Sequence, residues 1–149
     1  MKTVVYESHS VEETEQIAAH LAANLQPGDC IALDGELGAG KTQFVRGLLV
    51  GLNGNPRTVS SPTYVLLNIY DTGRLHLYHL DAYRIGGSDD FEGIGFSELL
   101  EQGGVVAVEW PSRIPELLPP NCIRVSLQLI NADQRRIKIA SKYELGKIP

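Results

Sequence analysis

The first third of the chain carries apolar residues in two patterns with different periods. Residues 3–7 form a short stretch rich in β-branched side chains, which predicts a strand. Apolar side chains then recur at the three- and four-residue spacing of a helix over residues 17–25. Ser10, with a glutamate three positions later, is typical of the capping box that begins a helix. We therefore predict a strand and then a helix that ends at the Pro27-Gly28 pair.

A second strand and a second helix follow, separated by a glycine-rich turn. Residues 30–33 are continuously apolar and predict a short strand. Residues 41–52 place their apolar side chains on one face of a helix. The order of these features is therefore strand, glycine-rich turn and helix.

Two hairpins are predicted in the rest of the chain. The first pairs residues 64–70 with residues 75–81 around an Asp-Thr-Gly turn. The second pairs residues 123–130 with residues 135–140 around an Asn-Ala-Asp turn. Strands joined by such short turns run antiparallel, so the sheet is not expected to be wholly parallel.

A helix and a buried strand are predicted between the two hairpins. Residues 96–101 form a short helix that Gly103-Gly104 ends. Residues 105–108 are continuously apolar, as expected of a central strand buried on both faces. The sequence has no repeat, low-complexity segment or break in composition, so we predict one domain over residues 1–149.

Composition excludes several classes of protein. Of the 149 residues 43% are apolar and 21% charged, and no apolar run approaches the roughly 20 residues that span a bilayer. A net charge of −5 disfavours strong binding of nucleic acid by this chain alone. Polar residues near the N-terminus interrupt any signal-peptide core, so we expect a cytoplasmic protein with no membrane partner. Cys30 and Cys122 lack metal-ligand spacing and are expected to be buried free thiols.

The strongest functional signal is the run Gly35-Glu36-Leu37-Gly38-Ala39-Gly40-Lys41-Thr42. It matches the phosphate-binding loop (P-loop) pattern G-x-x-x-x-G-K-S/T and lies between a predicted strand and a predicted helix. Its glycines allow successive N–H groups to point at phosphate oxygens. Lys41 is expected to reach the β- and γ-phosphates and the Thr42 hydroxyl to ligate Mg²⁺. We therefore predict a nucleoside triphosphatase with an α/β, single-domain, three-layer P-loop NTPase-like fold, whose mixed sheet contains antiparallel hairpins.

Two acidic residues end predicted strands where a P-loop protein needs a carboxylate near its metal. Glu109 directly follows the apolar strand at residues 105–108, and Asp81 closes the second strand of the first hairpin. One acid would hold Mg²⁺ and the other would orient or deprotonate water. Their positions leave open which does which, and an ordinary strand-end carboxylate is the alternative for each.

Three further features have both a functional and a structural interpretation. Residues 60–64, Ser-Ser-Pro-Thr-Tyr, form either a switch segment ordered by a γ-phosphate or a loop stiffened by proline. His76 and His79 are interpreted first as sheet residues. Trp110 lies close to the site if Glu109 does, and otherwise serves as a core or interface aromatic.

Four segments together resemble the TsaE (YjeE) family of small bacterial P-loop ATPases. They are the P-loop itself, Ser61-Pro-Thr-Tyr64, His79-Leu-Asp-Ala-Tyr-Arg84 and Val108-Glu-Trp-Pro111. The P-loop occurs in many NTPases, whereas the other three segments in this order are far more specific. The resemblance covers almost the whole chain and implies a role in the threonylcarbamoyladenosine modification of tRNA, beside the anticodon.

The resemblance also implies partners and roles for individual residues. The transferase TsaD and its companion TsaB would bind this protein, whose ATP hydrolysis would support repeated turnover of their complex, with tRNA contacted only through that complex. Thr42 and Glu109 would hold Mg²⁺, and Asp81 would support hydrolysis together with Lys41. The residues expected to bind the nucleotide are Gly38, Ala39, Gly40, Lys41, Thr42 and Gln43 at the phosphates, and Val11 and Gln134 near the base. Gln43 replaces a second hydroxyl residue found in many relatives, and we expect little functional change from it.

Two other classes of function compete with this interpretation. A small-molecule kinase uses the same loop, but the arginines here are scattered and no lid-like insertion is visible in the sequence. A non-catalytic module could bind nucleotide only as a structural ligand, although such a site has no need of Glu109 and Asp81. A GTPase is disfavoured because the sequence has no Asn-Lys-x-Asp motif.

Overall fold

A seven-stranded mixed sheet forms the middle layer of the protein, which a computed structural model describes at residues 1–36, 38–59, 67–85, 88–93 and 95–148. The strands are β1 (Lys2–Ser8), β2 (Cys30–Gly35), β3 (Leu67–Tyr70), β4 (Leu77–Asp81), β5 (Val105–Glu109), β6 (Ile123–Asn131) and β7 (Gln134–Ser141). Their spatial order is β1-β7-β6-β2-β5-β4-β3. The central strands β6, β2, β5 and β4 run parallel, whereas β1, β7 and β3 pair antiparallel. Both predicted hairpins, β3–β4 and β6–β7, are confirmed in the described residues.

Helices cover both faces of this sheet. They are α1 (Val11–Ala22), α2 (Lys41–Gly51), α3 (Ala82–Ile85), α4 (Ser88–Gly93) and α5 (Phe96–Glu101), with short 3-10 turns at Pro56–Thr58, Pro111–Arg113 and Pro115–Leu117. The apolar side chains of α1 and α2 pack on one face, and those of α5 pack on the other. This three-layer arrangement confirms the predicted α/β fold class. None of the helices in the described part of the chain is long and apolar enough to cross a membrane.

Strand β5 is the most deeply buried part of the sheet. Each residue from Val105 to Val108 has no exposed surface. Val105 and Ala107 face the α1 and α2 layer, and Val106 and Val108 face the opposite layer. The continuous apolar run is thus explained by burial on both faces, as predicted.

Helices α1 and α2 approach each other closely because α2 carries two glycines on the contact face. A Cβ atom on Gly47 would lie 2.7 Å from the Cβ of Ala18, and one on Gly51 would lie 2.5 Å from that of Ala22. Each glycine also faces the backbone of α1. This contact fixes the axis of α2, whose first residues belong to the P-loop.

Several element boundaries differ from the sequence predictions. Helix α1 ends at Ala22, so Leu25 is buried from a turn beyond the helix rather than from its last turn. Ser10 caps α1 by accepting a hydrogen bond from the Glu13 N–H at 3.0 Å, but the Glu13 carboxylate accepts from the His9 N–H rather than completing the capping box. Strand β4 begins two residues later than predicted, and α3 and α4 were not predicted.

The two cysteines are free and buried, as predicted. Although they are far apart in sequence, they precede paired positions of the parallel strands β2 and β6, where Ile31 lies opposite Ile123. Their thiols contact each other, and this contact together with burial raises the pKa of the Cys30 thiol. They are part of the apolar layer beneath α5.

Candidate nucleotide-binding site

The P-loop connects the end of β2 to the start of α2. Gly38 and Gly40 have φ angles of 84° and 103°, which favour glycine because a side chain would be strained there. Gly40 is the N-cap of α2 and gives that helix no side-chain cap. The N-terminal N–H groups of α2 therefore face the loop as a partly positive end, which suits a phosphate group.

A cavity of about 670 Å³ lies directly beside this loop, within the size range of small-molecule and cofactor sites. Four parts of the fold contribute to it: the start of α1, the P-loop, the carboxyl ends of β4 and β5, and the β6–β7 turn. The lining residues are His9, Ser10, Val11, Thr14, Gly38, Gly40, Lys41, Thr42, Gln43, Asp81, Tyr83, Arg84, Glu109, Trp110, Ala132, Asp133 and Arg135.

Most of the residues predicted for the site thus line one cavity. They are Val11, Gly38, Gly40, Lys41, Thr42, Gln43, Asp81 and Glu109. Ala39 is fully buried beneath the loop and does not line the cavity. Gln134 does not line it either, because its side-chain amide donates to Glu7 at 3.0 Å. The predicted switch segment at residues 60–64 lies outside the described residues.

Lys41 contacts both residues that follow the apolar part of β5. Its Nζ lies 3.4 Å from Glu109 Oε1 and 4.7 Å from the centroid of the Trp110 ring. The side chains of Lys41 and Glu109 are only 12% and 16% exposed, so their attraction is weakly screened. Trp110 has a φ of 57°, in the left-handed region that is uncommon outside glycine, and the next residue is Pro111. This bend directs the chain away from the sheet just after Glu109.

The second oxygen of Glu109 has a different partner. His79 Nε2 lies 2.6 Å from Glu109 Oε2, and His79 is only 7% exposed. Burial raises the pKa of the Glu109 carboxyl, but the hydrogen bond with His79 and the nearby charge of Lys41 lower it by more, so the net pKa lies below the ordinary 4.5. Glu109 is therefore ionised at neutral pH and available as an oxygen ligand.

Asp81 lies beside Glu109 because the two residues occupy paired positions at the carboxyl ends of β4 and β5. One Asp81 oxygen accepts from the Tyr83 N–H at 3.0 Å, and the other lies 3.3 Å from Arg84 Nε. Asp81 thus also begins the short helix α3, a structural role that its position in the sequence did not reveal.

The aromatic side chains at the mouth of the cavity form a connected group. The rings of Tyr83 and Trp110 are 5.4 Å apart, and the Arg113 guanidinium lies 5.2 Å from the Tyr83 ring. Tyr83 is 59% exposed. Trp110 therefore combines the two interpretations of the sequence, since it lines the cavity and also packs against the apolar layer.

Arg135 joins the β6–β7 hairpin to the P-loop. Its guanidinium donates to the carbonyl oxygen of Gly38 at 3.3 Å and to the carbonyls of Asn131, Ala132 and Gln134 within its own hairpin. Gln134 of this hairpin was predicted to lie near the base, whereas its neighbours Ala132, Asp133 and Arg135 line the cavity. Gln134 and Arg135 are adjacent on β7, so their side chains point to opposite faces: Arg135 contacts the P-loop and Gln134 contacts Glu7.

His79, Tyr83 and Arg84 are the other contributors that sequence reasoning did not assign. A signal was present, because all three belong to the segment His79-Leu-Asp-Ala-Tyr-Arg84 together with Asp81. The spacing of His79 and Asp81 places both on the same face of β4, next to Glu109.

Comparison with known proteins identifies the family. Residues 8–137 match the family model described as "Threonylcarbamoyl adenosine biosynthesis protein TsaE". The chain belongs to the TsaE family. It is 38% identical over 148 residues to the tRNA threonylcarbamoyladenosine biosynthesis protein TsaE of Bacillus subtilis, covering 97% of this chain and 92% of that relative. It is also 38% identical over 133 residues to the protein of the same name from Treponema pallidum, covering 89% of this chain and 97% of that relative.

A solved structure has the same fold. The crystal structure of Bacillus subtilis YdiB matches with a TM-score of 0.77 at 33% identity, covering 94% of this chain and 86% of that chain. The mixed sheet with helices on both faces is thus shared with this neighbour, which supports the fold class predicted from the sequence.

Proposed function

We propose that this TsaE family member binds ATP with Mg²⁺ in the cavity beside the P-loop, hydrolyses it, and thereby supports the threonylcarbamoyladenosine modification of tRNA. The observation that carries the proposal is the convergence of Lys41, Thr42, Glu109 and Asp81 on one cavity of about 670 Å³. Family membership supports the part of the proposal that concerns tRNA modification. The nucleotide chemistry rests on the site itself.

The donor atoms around the P-loop fit a magnesium ion. Thr42 offers a hydroxyl oxygen and Glu109 an ionised carboxylate, and Mg²⁺ prefers hard oxygen ligands. Among the described residues, no group of three or more histidine, cysteine or acidic side chains is arranged to hold a metal alone. This fits Mg²⁺, which is usually bound by one or two carboxylates together with substrate phosphates and water. Thr42 and Glu109 would hold the ion, which neutralises charge on the phosphates when bound.

Lys41 and the helix α2 would bind the phosphates. The N–H groups at the start of α2 favour negative charge, and Lys41 would exchange its contact with Glu109 for contacts with the β- and γ-phosphates. That exchange would free Glu109 Oε1 at the moment when the phosphates arrive. Lys41 and Glu109 would therefore contact each other before the nucleotide binds and would separate when the phosphates arrive.

Asp81 is the residue we assign to the attacking water. It lies beside Glu109 at the carboxyl ends of adjacent strands, and its contacts with the Tyr83 N–H and Arg84 fix the orientation of its carboxylate. A fixed carboxylate can accept a hydrogen bond from water and orient it for in-line attack on the γ-phosphorus. The products would be ADP and phosphate, with the proton of the water passing to the site or to solvent.

The tRNA would be reached through partner proteins. A net charge of −5 opposes direct binding of a phosphate-rich nucleic acid. We therefore propose that the protein acts in the cytoplasm on the complex of TsaD and TsaB, with ATP hydrolysis supporting repeated turnover of that complex.

Phosphate release separates this proposal from its alternatives. The purified protein, incubated with ATP and Mg²⁺, is expected to release phosphate slowly, and faster when TsaD and TsaB are added. A Lys41→Ala variant, which lacks the proposed contact with the phosphates, is the negative control. Transfer of phosphate to a small acceptor would instead indicate a kinase, and ATP binding with no release in the presence of both partners would indicate a non-catalytic module.

A further inference from the structure

The two carboxylate oxygens of Glu109 are held by two different side chains. Oε1 lies 3.4 Å from Lys41 Nζ, and Oε2 lies 2.6 Å from His79 Nε2. The histidine contact is the shorter, and it comes from a rigid ring on a central strand. The other contact comes from the long side chain of Lys41, which is also proposed to bind the phosphates.

The sheet register explains how His79 reaches Glu109. On the parallel strands β4 and β5, His79 pairs with Ala107 and Asp81 pairs with Glu109. All four side chains point to the same face of the sheet. His79 therefore lies two residues before Asp81 on β4, beneath the cavity rather than within its lining. At 7% exposed, it is a buried polar group that requires a partner, and Glu109 supplies one.

The chemistry of the contact fixes the direction of the hydrogen bond. An ionised carboxylate can only accept, so His79 Nε2 must carry the hydrogen. The donated hydrogen bond holds Oε2 towards β4 and leaves Oε1 pointing at Lys41, on the P-loop side of the carboxylate. When Lys41 turns to the phosphates, His79 is the contact that continues to hold Glu109.

We infer that His79 is a positioning residue, which orients Glu109 so that one oxygen faces a divalent cation bound with the nucleotide. This inference rests on the proposed function of the site. A histidine or carboxylate behind a metal ligand typically affects metal affinity by about 10–100-fold when it is removed. The effect of losing His79 should therefore fall on the cation, while the phosphates remain held by the P-loop.

The test compares binding of a non-hydrolysable ATP analogue with and without Mg²⁺, by equilibrium dialysis. In the wild type, Mg²⁺ is expected to strengthen binding. His79→Phe and His79→Leu remove the donor and should reduce this Mg²⁺-dependent strengthening about tenfold. Affinity in the presence of a chelator should stay within about twofold. His79→Gln keeps an N–H donor at a similar reach and should restore the strengthening to within about threefold of the wild type.

His76 provides the matched control. It lies just before β4, is exposed, and contacts Tyr78 instead of the cavity. His76→Phe should therefore leave the effect of Mg²⁺ unchanged. Equal Mg²⁺ effects in the wild type and both donor-free His79 variants would overturn the inference. So would a His79→Gln variant as impaired as His79→Phe. If the wild type itself shows no strengthening by Mg²⁺, the proposed function fails instead.

A second test uses only the wild-type protein, so it does not depend on whether a variant folds. Long-range proton–nitrogen NMR spectra of the histidine rings report which nitrogens carry hydrogen. His79 is expected to carry hydrogen on Nε2 both without ligand and with Mg²⁺ and the ATP analogue. An Nε2 without hydrogen would show that His79 does not donate to Glu109 and would overturn the inference.

Discussion

We propose that Lys41 serves two partners in turn, first Glu109 and then the phosphates. It contacts Glu109 and Trp110 in this structure, and the same ammonium is the cation that a P-loop directs at the terminal phosphates. Lys41→Ala should weaken ATP binding at least tenfold, about 1.4 kcal/mol, because a charge-assisted contact is lost. Calorimetric titration measures this loss. Lys138→Ala, on the exposed side of β7, should bind ATP normally. Normal affinity in a folded Lys41→Ala protein would contradict the P-loop assignment.

Asp81 requires a substitution that separates its two roles. Asp81→Asn keeps an oxygen that can accept from the Tyr83 N–H and so preserves the start of α3, but it removes the charge proposed to orient water. Hydrolysis should fall by about 100-fold or more, as expected when the carboxylate that orients or deprotonates the attacking water is lost. Thermal unfolding should change little. A phosphate-release rate equal to that of the wild type would mean that Asp81 serves only the helix.

Glu109 should also make stability depend on pH in a defined direction. Its pKa is lowered on folding, so its ionised contacts stabilise the protein fully above about 4.5 and are lost as the pH falls through the lower pKa of the folded state. The free energy of unfolding, measured in urea, should therefore be compared between the wild type and Glu109→Gln from about pH 5.5 down to about pH 3. The difference should shift against the wild type below pH 4.5. A difference that stays constant down to about pH 3 would contradict the ionic contacts.

At the scale of elements, features that depend on local sequence were predicted better than contacts between distant segments. The strand, loop and helix of the P-loop were predictable because motif, apolar run and amphipathic period all lie within residues 30–52. Helix α3 was missed because its four residues are too few to show a helical period, and α4 because only one of its six residues is apolar, whereas the equally short α5 has three. The pairing of β4 with β5 was also not predictable, because it joins segments separated by the whole α3–α5 region. For that reason the contact between His79 and Glu109 was not predicted, although both residues were noticed.

The packing of α1 against α2 gives a prediction about stability. Alanine is normally favoured over glycine within a helix by about 1 kcal/mol. At Gly47, however, the added methyl group would lie 2.7 Å from the Cβ of Ala18 and would press on the backbone of α1. Overpacking of this kind costs about 1–3 kcal/mol and cannot be relieved by a side-chain rotation, so after the helix gain of about 1 kcal/mol we expect a net loss of about 1 kcal/mol. Chemical denaturation measures it.

Gly93 supplies the control for that substitution. It is the last residue of α4, and a methyl group there would have no neighbour within 4 Å among the described residues. Gly93→Ala should therefore leave stability within about 0.5 kcal/mol of the wild type. If Gly47→Ala were equally neutral, the close approach of α1 and α2 would not be a constraint on the position of the P-loop.

At the scale of the whole molecule, the cavity is where distant parts of the chain meet. The start of α1, the P-loop, the ends of β4 and β5 and the β6–β7 turn all contribute to it. A ligand that contacts all four would couple them. The exposed Tyr83 lies against Trp110, with the ring centroids 5.4 Å apart, and both residues line the cavity. We therefore expect a change of the bound nucleotide to alter this part of the protein surface.

If hydrolysis supports turnover of the TsaD–TsaB complex, that complex must distinguish the ATP form of this protein from the ADP form, since a ligand shifts an equilibrium only through differential affinity. Coupling between two binding sites is typically about 1–3 kcal/mol, so partner affinity should differ between the two nucleotide forms by roughly 5–150-fold. Calorimetric titration of the partner complex, with the non-hydrolysable ATP analogue and with ADP, measures the difference. Tyr83→Ala, which removes the exposed ring but no proposed ligand of phosphate or metal, should reduce that difference while leaving ATP affinity nearly unchanged. The net charge of −5 further predicts negligible affinity for tRNA alone. Equal partner affinities in both nucleotide forms, together with tight binding of tRNA by this chain, would mean that it acts on the tRNA directly and not through the complex.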